Sequence, residues 1–262
     1  MVRVSIVMPA HNEERRIGNT LKEYSSFFER LREENRLSYE ILVVINNTRD
    51  RTEEVVKDAQ RSNKNIRYLN LKPGGKGFAV IEGFKDALKR ENALIGFVDA
   101  DNATSAEEYW KLINAVDGCD GIIADRYLGG SIIMPKPTWA RLFARRLFNF
   151  WARVFLMIPF GDTQCGAKVF RREVIQEVLP MLSMSQWAFD VELLYVINKQ
   201  GYSIAIHPTK WVDKEYSTIN FWQSGPWMAL AILRLRLVHS PFRDFVRFYD
   251  KIMNLMRGKK WF

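Results

Sequence analysis

The chain holds only two cysteines in 262 residues, Cys119 and Cys165. Two thiols make no disulfide framework and fit a reducing compartment such as the cytosol. No apolar run is long enough to cross a bilayer. The longest in the C-terminal part, Trp227 to Leu233, falls far short of the ~20 residues a spanning helix needs, and Arg234 and Arg236 follow at once. Met1-Val2-Arg3 leads straight into an apolar, strand-like segment, so no signal peptide is expected. Two phosphate-binding signatures are missing, the Gly-x-x-x-x-Gly-Lys-Ser/Thr loop and the Gly-x-Gly-x-x-Gly turn. Internal repeats and low-complexity tracts are absent too. The last absence is local: no Asp or Glu occurs from Tyr127 to Gly161, nor from Ile219 to Arg243.

What is present fits one large α/β domain with appendages. Apolar residues make up 47% of the chain and charged residues 26%, enough to build a sizeable core. The formal net charge of +9 predicts an anionic partner. Strand-like runs at Val4–Met8, Tyr39–Ile45, Ile66–Leu71, Ile95–Val98 and Gly121–Ala124 alternate with helical spacing from Ile17 to Leu31, near Glu53–Ser62, from about Phe78 to Lys89 and around Ala106–Ala115. Such alternation predicts a mixed, mostly parallel sheet with helices on both faces. A loop at 162–166 leads into a further short strand. A helix is expected from about Gln186 to Lys199 and a strand over Tyr202–His207.

The acid-free stretch has its own pattern. Trp139, Leu142, Phe143, Leu147, Phe150, Trp151, Val154, Phe155 and Ile158 recur at helical spacing among Arg141, Arg145, Arg146 and Arg153. This predicts a basic amphipathic helix at about 137–160. It either packs into the core or lies on an anionic membrane surface, and the total lack of acids favours the membrane. Aromatics and arginines return after Ile219. We therefore expect a domain over 1–216 and a C-terminal interfacial segment over 217–262.

The predicted fourth strand ends in Asp99-Ala100-Asp101. An Asp-x-Asp should occur roughly once by chance in a chain of this size, so its place at a strand end is what counts. In a parallel sheet the loops at 9–14, 45–50, 72–77, 99–103 and 125–127 meet along one edge, where open α/β sheets bind ligands. Together they offer two carboxylates for Mg²⁺ or Mn²⁺, a Gly and Lys loop for phosphate, and Asn side chains for a base or ribose.

These loops carry a resemblance. Pro9-Ala10-His11-Asn12-Glu13-Glu14, Gly75-Lys76-Gly77 with Ala79 and Gly83, Asp99-Ala100-Asp101, Asp125-Arg126-Tyr127, Asp162-Thr163-Gln164-Cys165-Gly166 and Trp187 through Leu193 resemble, in order, the motifs of family 2 glycosyltransferases with the GT-A fold. Within that family they look most like the dolichyl- or polyprenyl-phosphate hexose synthases, glucosyltransferases first and mannosyltransferases next. The similarity runs from about Val2 to Ser217.

The resemblance implies an inverting transfer of a hexose from a nucleotide diphosphate sugar to a polyprenyl phosphate, on the cytoplasmic face of a membrane. It implies a metal at Asp99 and Asp101, and nucleotide-sugar contacts at Pro9, Ala10, Asn12, Glu13, Asn46, Lys76, Asp99, Ala100, Asp101 and Gln164. Asp101, Arg126 and Asp190 are the expected catalytic residues. Arg126, Arg141 and Arg145 are candidates for the acceptor phosphate. Asp190 is either a base or an acid placed at a helix N-terminus by the dipole.

Where the family ends its second strand in two acids followed by Gly-Ser, this chain has Ile45-Asn46 and then Asn47-Thr48. Asn47 tolerates the left-handed backbone that Gly supplies. An amide at Asn46 would suit uracil, whose adjacent donor and acceptor it can match, which favours UDP-glucose over GDP-mannose. After Trp211 the family's Ser-Lys is replaced by Ser217-Thr218. His11, His207 and His239 are expected as loop, packing or surface residues. Competing readings are a transferase to a glycan or glycolipid hydroxyl, a nucleotidyltransferase making nucleotide sugars, and a nucleic-acid-binding module. The interfacial helices, the glycine-free loop at 9–14 and the diacid argue against these in turn, and no nucleic-acid partner is expected.

Overall fold

The structure is a computed structural model. It describes residues 2–183, 188–212, 230, 232–240 and 246. The elements are β1 (Val2–Ala10), α1 (Ile17–Glu33), β2 (Leu37–Asn46), α2 (Thr52–Ser62), β3 (Ile66–Leu71), α3 (Lys76–Ala87), β4 (Leu94–Val98), α4 (Ala106–Asn114), β5 (Gly121–Asp125), β6 (Ile132–Met134), α5 (Trp139–Leu156), β7 (Ala167–Arg171), α6 (Arg172–Val178), α7 (Phe189–Lys199), β8 (Ile204–Pro208) and β9 (Lys210–Val212).

Seven strands form one sheet in the order β3-β2-β1-β4-β7-β5-β8. All neighbours are parallel except β7, which runs antiparallel to β4 and to β5. The apolar runs are continuous because both faces are covered. Along β2, Ile41, Val43 and Ile45 face one core cluster, shared with Ile17, Leu21, Tyr24 and Phe28 of α1. Leu42 and Val44 face the other, shared with Phe84 of α3 and with Phe189, Leu193 and Val196 of α7. The period of two sends neighbouring side chains to opposite faces.

The reversed strand positions the site. Because β7 is antiparallel, its first residues meet the carboxyl end of β4, with Val98 opposite Ala167. The 162–166 loop therefore joins the edge to which the parallel strands send their own loops. β4 and β7 lie unusually close at Gly96, where a side chain would strike the Lys168 carbonyl oxygen, the Val169 backbone and the Tyr109 hydroxyl.

Several boundaries differ from expectation. Pro9 and Ala10 are the last residues of β1, paired with Val44 and Ile45, so the loop opens at His11. Helix α3 begins at Lys76, placing that lysine on its first turn. A second, two-stranded parallel sheet, β6–β9, was not anticipated. Strands of three residues are too short to show a period.

Helix α5 packs into the core, one of the two alternatives expected for it, and keeps a second apolar face exposed. Phe148, Ala152 and Leu156 form a buried stripe on the core, while Trp139, Phe143, Phe150, Val154 and Phe155 stand exposed, Trp139 at 82%. The helix is apolar on two sides, so its sequence could not choose between them. The C-terminal segment expected over 217–262 falls mostly outside the described residues. Of those described, Ile232 and Leu235 are buried in the core cluster that includes α7, and Lys199 Nζ donates to the His239 carbonyl at 2.8 Å. This part of the expected interfacial segment serves as core packing. Among the described residues no helix is long and apolar enough to cross a membrane.

Candidate active site

Asp99 follows β4 directly, and its N–H donates to Gly166 O at 3.0 Å. Its carboxylate lies over Gly166 so closely that a Cβ there would overlap it. The glycine that ends Asp162-Thr163-Gln164-Cys165-Gly166 is thus a spatial requirement of the diacid. We expect Gly166→Ala to displace the Asp99 carboxylate and to lower metal-dependent nucleotide binding at least about tenfold, with the fold retained. Calorimetric titration of the folded variant checks this; unchanged affinity would remove the requirement.

Asp101 Oδ1 accepts the Ala103 N–H at 3.0 Å, in a turn where Asn102 adopts a φ of 57°. Burial, and then the charge of Asp99, raise the Asp101 carboxyl above its ordinary value. Glu13 is also raised, by burial first, with the charges of Asp101 and Asp99 adding to it. Two 2.7 Å hydrogen bonds from Arg16 oppose that rise. Asp101 and Glu13, each raised in part by neighbouring carboxylate charge in a half-buried site, mark a place that suits a cation. Among the described residues no three His, Cys, Asp or Glu side chains are placed to hold a metal together. Asp99 and Asp101 are the two carboxylates just after β4. That pair suits a hard divalent ion completing its shell with phosphate oxygens and water.

Lys76 reaches this pair from the first turn of α3. Its Nζ lies 2.7 Å from Asp99 Oδ1 and 3.4 Å from Asp190 Oδ2. Burial works to lower its pKa, but the charges of Asp190 and Asp99 prevail and hold it well above the ordinary lysine value. Behind Asp190 stands Lys168, fully buried on β7, with Nζ 2.6 Å from Asp190 Oδ1 and 2.7 Å from Cys165 O. Asp190 is held below the carboxylate range. Burial would raise it, and Lys168 and Lys76 outweigh burial. Sequence reasoning did not single out Lys168. The available signal was a lone lysine inside an apolar strand, Ala167-Lys168-Val169-Phe170.

Arg126 is 8% exposed and is clamped by Asp162, which is fully buried. Nε and Nη2 donate to the carboxylate at 2.7 and 2.9 Å, and the Arg126 N–H donates at 3.2 Å. The guanidinium also lies over the Trp211 ring, 5.1 Å from its centroid. Nη1 is the donor group that Asp162 does not engage. The neighbouring Thr163 is tied to α5, its N–H and hydroxyl both donating to Asn149 Oδ1 at 3.0 and 2.8 Å. Gln164, half-buried, donates its N–H to Asp162 Oδ1 at 3.3 Å. Arg141 and Arg145 lie on α5, and their side chains fall outside the described residues.

The first two loops are laced together. Asn12 Oδ1 accepts the Arg49 N–H at 2.9 Å, and the Glu13 N–H donates to Thr52 Oγ1 at 2.8 Å. Asn12 and Asn47 adopt φ values of 54° and 49°, the left-handed geometry expected of Asn47. Ala100 is buried, and its carbonyl accepts from Thr20 Oγ1 at 2.8 Å. Asn46 requires a correction. It is 2% exposed. In the amide orientation that satisfies both groups it donates to Ala10 O and accepts from Gly75 N–H, each at 2.9 Å. Both edges of the amide are held by backbone. It joins the ends of β1, β2 and the glycine loop and presents no free edge to a base.

The model of glycosyl transferase family 2 matches residues 5–179, which include every loop just described up to Gly166. The chain belongs to that family. Relatives of this family 2 glycosyltransferase include the dolichyl-phosphate beta-glucosyltransferase of Dictyostelium discoideum, 30% identical over 90% of the chain and 74% of the relative. The human enzyme of the same name is 30% identical over 92% and 78%. Among solved structures, glucosyl-3-phosphoglycerate synthase from Mycobacterium tuberculosis in complex with UDP superposes with a TM-score of 0.62 at 16% identity, covering 90% of this chain and 79% of that one. A mannosyltransferase from Pyrobaculum calidifontis in complex with GDP-mannose and Mn²⁺ gives 0.58 at 16%, covering 90% and 63%. The fold expected from the sequence is thus shared with nucleotide-bound glycosyltransferases.

Proposed function

We propose that this family 2 glycosyltransferase moves a hexose from a nucleotide diphosphate sugar to a dolichyl or polyprenyl phosphate at a membrane surface. UDP-glucose is the favoured donor and GDP-mannose the next. The observation that carries the reading is 30% identity across 90% of the chain to an enzyme named dolichyl-phosphate beta-glucosyltransferase. The charge layout supports it. A divalent ion, Mg²⁺ or Mn²⁺, held by Asp99 and Asp101, would neutralise charge on the diphosphate. Lys76 adds a fixed cation on the same side. Pro9, Ala10, Asn12 and Glu13 border the nucleotide pocket, and Gln164 borders the diphosphate. Asn46 shapes this pocket from behind.

The acceptor is an anion already. A phosphate monoester is largely ionised near neutral pH, so attack on the anomeric carbon with inversion needs no strong base. Asp190, held ionised by two lysines, is a weak base. That suits a phosphate nucleophile better than a hydroxyl, which would need deprotonation. Nη1 of Arg126 faces the acceptor phosphate, with Arg141 and Arg145 as further contacts. Incubation with labelled UDP-glucose or GDP-mannose, a polyprenyl phosphate and Mg²⁺ or Mn²⁺ tests the reading. A labelled lipid is expected, and no labelled lipid from either donor would end it.

The exposed aromatic face of α5 and its arginines form the surface that meets the bilayer, as a peripheral attachment on the cytoplasmic side. Trp139→Glu with Phe143→Glu is expected to lower binding to anionic vesicles about tenfold or more in sedimentation, with donor binding unchanged. Equal sedimentation of variant and parent would assign the face to another contact.

A further inference from the structure

Lys76, Asp190 and Lys168 form a line that the reaction as described does not explain. Asp190 Oδ1 is 2.6 Å from Lys168 Nζ and Oδ2 is 3.4 Å from Lys76 Nζ, so the carboxylate leans toward the buried lysine. Lys168 is anchored independently. It donates to Cys165 O at 2.7 Å and lies over the Phe97 ring, 5.0 Å from its centroid. Lys76 lies over the same ring at 5.5 Å and is 2.7 Å from Asp99 Oδ1. Lys168 has no exposed surface. It acts on the reaction through the groups it holds, of which Asp190 is the charged one beside Lys76.

We propose that Lys168 is a positioning residue that holds Asp190 back from Lys76, so that the Lys76 ammonium stays available to the diphosphate of the donor. The proposal rests on the donor being a metal-bound nucleoside diphosphate. When such a ligand occupies Asp99, Asp190 is the one carboxylate still paired with Lys76 among the described residues. With both oxygens free it would close on Lys76, since a charge-assisted hydrogen bond favours a distance near 2.8 Å over 3.4 Å. The ligand would then compete with a full ion pair for the ammonium. Lys168 occupies one oxygen and fixes the carboxylate at the longer distance. The buried lysine thereby sets how much of the Lys76 charge reaches the phosphate.

Titration calorimetry with UDP in saturating Mn²⁺ tests this on the whole chain. The wild type is expected to bind, Lys168→Met to bind about tenfold more weakly, and the double variant Lys168→Met with Asp190→Asn to recover to within about twofold of the wild type, because the competitor is gone. Asp190→Asn alone keeps an acceptor for Lys168 and is expected to bind UDP at least as tightly as the wild type. Its folding does not depend on burying an unpaired carboxylate, so it decides the matter if Lys168→Met fails to fold. Equal affinity in Lys168→Met, no recovery in the double variant, or weaker binding in Asp190→Asn would each overturn the proposal. A wild type that binds neither UDP nor GDP with Mn²⁺ would remove the donor reading and this inference with it.

Discussion

Asp101→Asn is expected to abolish sugar transfer and, at the same time, to raise the melting temperature of the metal-free protein. The two effects have one origin. Asp101 is raised above the ordinary carboxyl value by burial and by the neighbouring charge of Asp99. A carboxyl with a raised folded-state value makes the fold less stable at neutral pH, where it must ionise; that penalty shrinks as pH falls through the folded value and is gone below the unfolded one. Asparagine carries no charge and keeps the Oδ1 acceptor for the Ala103 N–H, so the turn survives and the repulsion goes. Transfer suffers because the metal loses one of two protein ligands. The loss should exceed the roughly 10–100-fold that removing an outer-shell partner costs. Thermal melts without metal, with a lipid-labelling assay beside them, check both halves. A variant that transfers sugar normally, or melts lower than the parent, would mean the diacid is structural. Vesicle binding should be unaffected, since α5 is untouched.

The second large effect falls on stability. Asp162→Ala leaves the Arg126 guanidinium buried without its carboxylate, and removing one partner of such a pair typically costs about 3–5 kcal/mol. A domain of ordinary stability holds about 5–15 kcal/mol, so this one change approaches its margin. The pH dependence has a definite sign. Burial would raise the Asp162 carboxyl, but the Arg126 charge prevails and holds it below its usual range. The pair's contribution is therefore complete above the unfolded carboxyl value and is lost as pH falls through the folded one. Denaturant melts should show the largest gap between parent and variant near neutral pH and a shrinking gap in acid. A gap under about 1 kcal/mol at neutral pH, the range of an exposed pair, would show that Arg126 relaxes to water or to another partner.

The two predictions concern residues of unequal legibility. Asp99 and Asp101 could be found because a strand ending in acids is a local pattern, set by side-chain period and by where a parallel sheet opens. The Gly and Lys loop and the left-handed Asn47 were legible on the same terms, since chain geometry over a few residues fixes them. Lys168 was not. Its chemistry depends on Asp190, 22 residues later, and only the packing of β7 against α7 brings the two within 2.6 Å. Asn46 was misread for a related reason. An amide at a strand end has the donor and acceptor a base needs, but the same groups serve backbone equally well, and Ala10 and Gly75 come first.

The sequence by itself determined the alternation of the main strands and helices, the resemblance to the family, and the presence of a diacid, a basic loop and an acid-free aromatic helix. The alternation and the aromatic helix follow from periodicity and local composition, and the family resemblance from short motifs in order. Tertiary structure decided how the pieces share charge. The antiparallel entry of β7 carries the Asp162–Gly166 loop and Lys168 to the edge where the parallel strands end. There Gly166 makes room for Asp99, Asp162 clamps Arg126, and Lys76 stands between two carboxylates. A sequence lists charged residues, and their energies depend on distance and burial. Only the folded sheet fixes both.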